Sequence, residues 1–332
     1  MDETEQDIAD KIKELQNSIV AQNNTINSLV KIIEQLSTVI ADNKKLSEEN
    51  KIAIDNLPYE IMSPAFRDSV FFPSILSKDD TVGLIKEGFS VSRFGDGEFS
   101  IIFGKSRWKF QPYYEDLQTR LSDILLSKAE CFIPCINPNF FGPVFNLPDE
   151  NDRLSVRCFL EESGLLQKSK DIFSKDISYG DALCFNIESF HEKACLEEIF
   201  SGRDITIVEG EKTRLGVGND FLSKAKSVRR ILCPSIDAWS KYSEILDAAL
   251  IEDKERLFII SLGPTASVLS YDLYKAGYQA LDVGHADIVY ERFLGNPNGN
   301  LEFKDYVNGG EGIDGVVECR DEKYLSEIIN II

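Results

Sequence analysis

The run Arg93, Phe94, Gly95, Asp96, Gly97, Glu98, Phe99 sets two carboxylates two residues apart at the end of an apolar stretch. In an extended turn that spacing puts Asp96 and Glu98 on one side. Paired carboxylates suit a hard divalent cation, Mg²⁺ or Mn²⁺, which prefers oxygen ligands and takes phosphate oxygens as further ones. Gly95 and Gly97 let the backbone approach a ligand closely, and a phosphate neighbour would account for Arg93. The same residues also describe a solvated acidic turn, so spacing alone leaves both readings open.

Three further segments carry related chemistry. Glu209 to Asp220 follows the apolar run Ile205 to Val208. Lys212, Arg214, Gly216, Gly218 and Asn219, ahead of an expected helix, read either as an anion cradle at a helix N-terminus or as a tight glycine turn with surface cations. The segment is no dinucleotide fingerprint, because Phe221 holds the third glycine position. It is no Walker loop either, because Glu211 separates Gly210 from Lys212. Gly263, Pro264 and Thr265 follow FIISL with Pro at the first helical position, which serves capping or a phosphate or ribose contact. His285, Asp287 and Glu291 follow the run ALDV. On a helix Asp287 and Glu291 share a face. One of them, or His285, suits a general base toward a hydroxyl, with a structural or metal-ligating His as the other readings. His191 in HEKAC lacks the second His of a zinc-protease helix, and no GxSxG elbow occurs.

Groups this far apart in sequence meet only if a sheet gathers them. Candidate strands are GFSVSR (88–93), ECFIPCI (130–136), DALCFNI (181–187), RDITIVEG (203–210), RRILCPS (229–235), RLFIISLG (256–263) and YQALDVG (278–284). Amphipathic helical stretches at 220–228, 238–250 and 264–277 lie between the later ones. This alternation predicts an α/β fold, a Rossmann-like and mostly parallel sheet with helices on both faces. Ligands of such sheets sit beyond the carboxyl ends of the strands. The seven cysteines, odd in number and mostly within apolar runs, read as reduced core residues.

Ahead of this domain the apolar residues step by four and three. With Ile12 at position a, Ile fills five successive a positions (12, 19, 26, 33, 40), and Leu fills d at 15, 29 and 36. Gln22 and Asn43 are polar d residues. Ile at a with Leu at d favours a parallel two-stranded coil. Val30 at e and Ile32 and Val39 at g widen the stripe toward more strands or toward docking on the chain's own domain. The reading is an N-terminal α-helical coiled coil over 1–50 that self-associates, a linker over 51–65 broken by Pro58 and Pro64, and a globular domain over 66–332.

The chain has 332 residues, 43% hydrophobic, with 36 Lys and Arg against 56 Asp and Glu, a net charge of -20. That balance repels phosphodiester backbones and anionic membranes, so nucleic acid is not an expected partner. The acidic N-terminus MDETEQD and the lack of an 18-residue apolar run give no expectation of a signal peptide or membrane span, and the expected location is cytoplasmic.

Four ordered blocks, RFGDGEF (93–99), GRDITIVEGEKTRLGVGNDF (202–221), ILCPSIDAWSKYSEIL (231–246) and SLGPTASVLSYDLYKAGYQALDVGHADIVYERFL (261–294), resemble the glycosyltransferases of the GT-D fold. The resemblance covers roughly Val82 to Leu294. It implies that Asp96 and Glu98 take the metal, Mn²⁺ or Mg²⁺. It implies that Arg93 to Gly97, the turn with Lys212, Arg214, Gly216, Gly218 and Asn219, the pair Pro234 and Ser235, and Gly263 to Thr265 contact a nucleotide-sugar. The implied reaction moves a hexose, glucose foremost, from a UDP-sugar to a bacterial surface glycan or glycoprotein, with a carboxylate or His from 285–291 as base. A metal-dependent nucleotide phosphohydrolase and a non-catalytic nucleotide-binding scaffold are the rival readings. The chain departs from the family pattern after Asp181, where LCFNIESF lacks an arginine and proline, and after Tyr306 to Asn308, where Gly309 and Gly310 follow. Those departures bear on sugar and acceptor preference.

Overall fold

The computed structural model describes residues 3–60, 70–106, 110–142, 147, 150–295 and 318–332. Its short apolar runs, ended by glycine, proline or an acidic residue, become the strands of one sheet. These are β1 (Ser74–Ile75), β2 (Ser90–Phe94), β3 (Phe132–Ile136), β4 (Ser178–Asp181), β5 (Asp204–Gly210), β6 (Ser227–Cys233), β7 (Leu257–Ser261), β8 (Gln279–Asp282) and β9 (Ile328–Ile331). Their order is β1-β4-β3-β2-β8-β7-β5-β6-β9, and the pairings are parallel.

Alternation along the central strands feeds two cores. Ile205, Ile207, Leu257, Ile259 and Leu281 point to one side, where they meet Val82 and Ile85 of α2 (Lys78–Lys86), Leu196 and Phe200 of α7 (Phe190–Phe200) and Tyr290 of α10 (Ala286–Phe293). Val208, Phe258, Ile260 and Ala280 point to the other, against Ile245 of α8 (Tyr242–Leu250) and Leu269 and Leu273 of α9 (Pro264–Lys275). Both faces are covered, as a parallel sheet requires. The remaining helices are α1 (Glu3–Glu60), α3 (Asp96–Ile102), α4 (Glu115–Leu125), α5 (Glu150–Ser163), α6 (Leu165–Ile172) and α11 (Glu322–Glu327).

Strand order creates two crevices. β2 leads to β3 on one side, while β8 leads through α10 toward β9 at the opposite edge. Likewise β5 leads to β6 on one side, and β7 to β8 on the other. At each such reversal the connecting segments part at the carboxyl ends and leave room for a ligand.

Several expectations need correction. DALCFNI is not a strand: β4 ends at Asp181, whose Oδ1 accepts the Leu183 N–H at 2.7 Å, and that Asx turn folds Ala182, Cys184 and Phe185 into the core. No helix covers 220–228; the chain turns there and enters β6 at Ser227. Edge strands β1 and β9 lie outside the expected set. Of the cysteines, Cys135, Cys184 and Cys233 are buried but Cys131 and Cys158 are exposed. α1 runs through Pro58 to Glu60 instead of ending near residue 50. The expected break at Pro64 and domain start at Phe66 lie outside the described residues, as do Tyr306 to Asn308.

The chain divides into two compact units, Met1–Ile61 and Met62–Ile332. Among the described residues no helix is long and apolar enough to cross a membrane. Within the second unit α3 is seated by Phe99, a fully buried ring 6.2 Å from Phe94, 6.1 Å from Phe140 and 5.8 Å from Phe173. Phe99→Ala is expected to cost about 3–5 kcal/mol through the lost ring and the cavity left behind. Urea denaturation followed by tryptophan fluorescence, to which α1 contributes nothing because it has no tryptophan, checks this as a lower midpoint at unchanged slope.

Candidate functional site

The exits of β2 and β8 are clasped by one carboxylate. Asp282 is buried at the last position of β8; its Oδ2 accepts the Arg93 N–H at 3.1 Å and the Ser267 hydroxyl at 3.0 Å. Its Oδ1 accepts the Gly284 N–H at 3.1 Å. Burial raises the Asp282 pKa, and the Arg93 charge opposes that rise. The Arg93 guanidinium crosses the same gap, with Nη1 donating to the Val283 carbonyl at 2.6 Å, while its buried Nε has no hydrogen-bond partner. Gly284, at φ +53°, favours glycine: a Cβ would lie 2.3 Å from Arg93 Nη1 and would push the guanidinium aside.

The acidic motif beyond β2 is helical, not extended. Gly95 caps α3, and the Glu98 side chain, three positions into the helix, turns back so that Oε2 accepts the Gly95 N–H at 2.7 Å. Residues two apart on a helix face directions about 200° apart, so Asp96 and Glu98 do not point to one side. Phe94 is fully buried against Phe99, so it seats the helix and offers no surface to a ligand.

Whether this pair suits a divalent cation turns on charge and donors. Burial first, then the charges of Asp282 and Asp96, push the Glu98 carboxyl up to about 7. Crowding of three carboxylates is what a cation relieves, and all three are the hard oxygen donors that Mg²⁺ or Mn²⁺ prefers. Among the described residues, however, no group of three or more His, Cys, Asp or Glu is arranged to hold a metal. A cation here would therefore have no more than two protein ligands and would complete its shell with other oxygen donors such as water, as Mg²⁺ commonly does.

The second crevice is built on Glu209, a fully buried carboxylate near the end of β5. Its Oε1 accepts Arg230 Nη1 at 2.6 Å, and its Oε2 accepts the Leu215 N–H at 2.7 Å. Burial raises its pKa even against the Arg230 charge. Arg230 in turn donates Nε to Glu327 of α11 at 2.8 Å. This chain of bonds pins the glycine turn from below. The turn holds Arg214 at φ +51°, Gly216 at +75° and Gly218 at +83°; Asn219 Oδ1 then accepts the Phe221 N–H at 3.0 Å. No helix follows: residues 221–224 form a further turn and the chain enters β6 at Ser227, so the cradle expected at a helix N-terminus does not form. Leu215, Phe221 and Leu222 are buried, which anchors the turn in the core.

Asn219 gathers the third segment. Its Nδ2 lies 2.7 Å from Asp287 Oδ1 and 2.6 Å from Glu291 Oε1, and both carboxylates are buried. The shared helix face is as expected, but their burial corrects the reading of either as a base open to an acceptor: they hold the glycine turn to α10. Tyr290 reinforces the link by hydrogen-bonding Asp220. His285 caps α10 and is exposed at the β8 exit.

At β7, Gly263 adopts φ +54°, and a Cβ there would fall 2.0 Å from the Phe110 ring. Pro264 opens α9 and Thr265 is buried, with Oγ1 3.4 Å from Gln111 Oε1. Gln111 also donates to Asp237 Oδ1 at 3.0 Å, and Asp237 N–H donates to the Phe110 carbonyl at 2.9 Å. Pro234 and Ser235 leave β6 beside this network. The Ser235 hydroxyl, packed near Gly210, is buried and has no hydrogen-bond partner. Lys212 is half-buried in the turn between.

Sequence reasoning missed Asp282, Glu209, Gln111 and Phe110. A lone carboxylate near the end of an apolar strand was the available signal for Asp282 and Glu209; Gln111 and Phe110 carried none, because only tertiary contact gives them a role.

A family model described as the GT-D fold of glycosyltransferases matches residues 91–308, more than half of the chain. The chain is 32% identical over 271 residues to the "Probable glycosyl transferase Gly" of Streptococcus gordonii, which covers 77% of this chain and 38% of that protein. It is 34% identical over 262 residues to "Glycosyltransferase GlyD" of Streptococcus pneumoniae serotype 4, covering 76% of this chain and 31% of that protein. It therefore spans about a third of the length of these curated relatives. A solved structure described as a new glycosyltransferase (DUF1792) from Streptococcus sanguinis superposes with a TM-score of 0.71 at 31% identity, covering 79% of this chain and 100% of that one. The matched span begins in β2 and passes α10, so it contains both crevices and the residues that line them, and this chain belongs to the family of GT-D fold glycosyltransferases.

Proposed function

We propose that the chain transfers a hexose, glucose foremost, from a UDP-sugar to a hydroxyl of a bacterial surface glycan or glycoprotein, with Mn²⁺ or Mg²⁺ bound. The observation that carries this reading is the meeting of Arg93, Asp282 and the acidic start of α3 at one strand-order reversal. There Glu98 feels the charges of both Asp282 and Asp96. A divalent cation offsets the negative charge of such a site and in turn attracts a diphosphate.

Asp96, at the first position of α3, would hold the metal, with Glu98, turned back onto the Gly95 N–H, adding negative charge nearby. When bound, the metal offsets negative charge that grows on the leaving diphosphate. Arg93, fixed by its bond to Val283, and Arg214, buried in the glycine turn, add positive charge on the same side of the sheet. Gly216, Gly218, Ser235 and Gly263 to Thr265 line the neighbouring crevice for the nucleoside. His285, the exposed group of its segment, receives the proton of the acceptor hydroxyl, while Asp287 and Glu291 keep Asn219 and the glycine turn in place.

Calorimetry tests the donor site. UDP is expected to bind with Mn²⁺ and at least about tenfold more weakly without it, and Asp96→Asn is expected to remove that metal dependence. Equal affinity with and without Mn²⁺ would overturn the reading, and release of UDP with no glycosylated product in the presence of acceptor would favour a hydrolase. The Arg93 clasp is tested by Gly284→Ala, which forces a Cβ onto Nη1. It is expected to weaken UDP-glucose binding at least about tenfold, whereas Gly88→Ala, equally left-handed at φ +102° but in open space, leaves binding within about twofold.

A further inference from the structure

The first unit of the chain is one helix, and it carries an apolar side of exposed residues. Eight seam residues, Ile12, Leu15, Ile19, Ile26, Leu29, Ile33, Leu36 and Ile40, are each 50–66% exposed. Val30, Ile32, Val39 and Leu46 flank them and are exposed to a similar degree. The opposite side carries most of the polar groups, including Lys13, Glu14, Asn17, Asn24, Lys31, Glu34, Asp42 and Lys45. A stripe of this length is on the order of the ~800 Å² that each partner buries in a stable interface.

We propose that a second copy of this chain covers the stripe, pairing α1 with α1 in parallel and in register. The inference stands apart from the transferase reading, because it uses no residue of the second unit. Two polar positions in the seam decide the direction. In a parallel, in-register pair, Gln22 meets Gln22 and Asn43 meets Asn43, and each amide offers both a donor and an acceptor to its twin. Laid antiparallel over the same span, Asn43 falls opposite Ile12 and Gln22 opposite Ile33. Each amide is then buried against an aliphatic side chain with no partner.

The flanking positions agree. In the parallel pair a g residue faces the e residue five places on in its partner. Val39 then meets Lys44 and Leu46 meets Lys51, so each lysine stem lies over an apolar side chain with its ammonium in water. Lys11 meets Gln16, and no like charges are brought together. Ile at a with Leu at d, packed knobs into holes, suits this same parallel arrangement. Because both helices then point the same way, both C-terminal units leave from the same end.

Sedimentation equilibrium of the full chain tests the pairing. The expected mass is twice the 37.4 kDa of one chain or a higher whole multiple. Ile26→Asp combined with Ile33→Asp is expected to return 37.4 kDa with an unchanged fluorescence melt of the second unit. A monomeric wild type overturns the proposal, and so does a multimer that survives the double substitution. Direction is read by Leu36→Cys, with the wild type as control since all seven native cysteines lie at residue 131 or beyond. Mild oxidation is expected to give a covalent dimer, because parallel copies set the two thiols side by side. Antiparallel copies would hold them about 25 Å apart along the helix, so absence of the cross-link overturns the parallel register.

Discussion

The Asp282 carboxylate is the interaction on which the site depends. β2 and β8 share a single paired register position, Val91 with Leu281, so the ladder between the two halves of the sheet is short. Beyond it the halves are held by side chains. Asp282 takes the Arg93 N–H, the Gly284 N–H and the Ser267 hydroxyl, while Ser267 also donates to the Arg93 carbonyl at 2.8 Å. Ser92 adds a bond to the Ser267 carbonyl at 2.6 Å. The three donors lower the cost of burying this carboxyl, although burial still raises its pKa. Without it, the exits of β2 and β8 would be joined chiefly by the bond from Arg93 Nη1 to the Val283 carbonyl.

Each crevice has a buried carboxylate near a strand end that accepts a backbone N–H from the loop beyond. Asp282 accepts the Gly284 N–H and, from β2, the backbone N–H of Arg93; Glu209 accepts the Leu215 N–H and, from β6, the Arg230 guanidinium. The loops are thus positioned from the sheet and need no helix of their own. That explains how a glycine turn without a following helix can stay ordered between two parallel strands.

Much of this architecture was legible in the sequence. Runs such as DITIVEG and LFIIS are too apolar for anything but strands covered on both faces, and the glycines after them mark the exits. What was not legible came from competition between local signals. Glu98 reads as half of a metal pair and equally as the third residue of a capping box, and only the backbone decides that it caps. DALCFNI has the composition of a strand, yet Asp181 at its head is also the first residue of an Asx turn, and the turn prevails because β4 is already paired. The turn at 214–219 looked like the approach to a helix because its apolar residues fit one face; they are apolar because they enter the core. Asp287 and Glu291 were correctly placed on one helix face, but whether that face met solvent or Asn219 depended on a loop about seventy residues away in sequence.

The central claim is that one cation and one diphosphate share the crevice between β2 and β8. Anomalous diffraction at the manganese edge, from crystals grown with UDP-glucose and Mn²⁺, measures this directly. The account predicts a single strong manganese peak within coordination distance of the Asp96 carboxylate, with the diphosphate between it and Arg93. A peak elsewhere on the chain, or a diphosphate bound away from the exits of β2 and β8 with no manganese beside it, would contradict it.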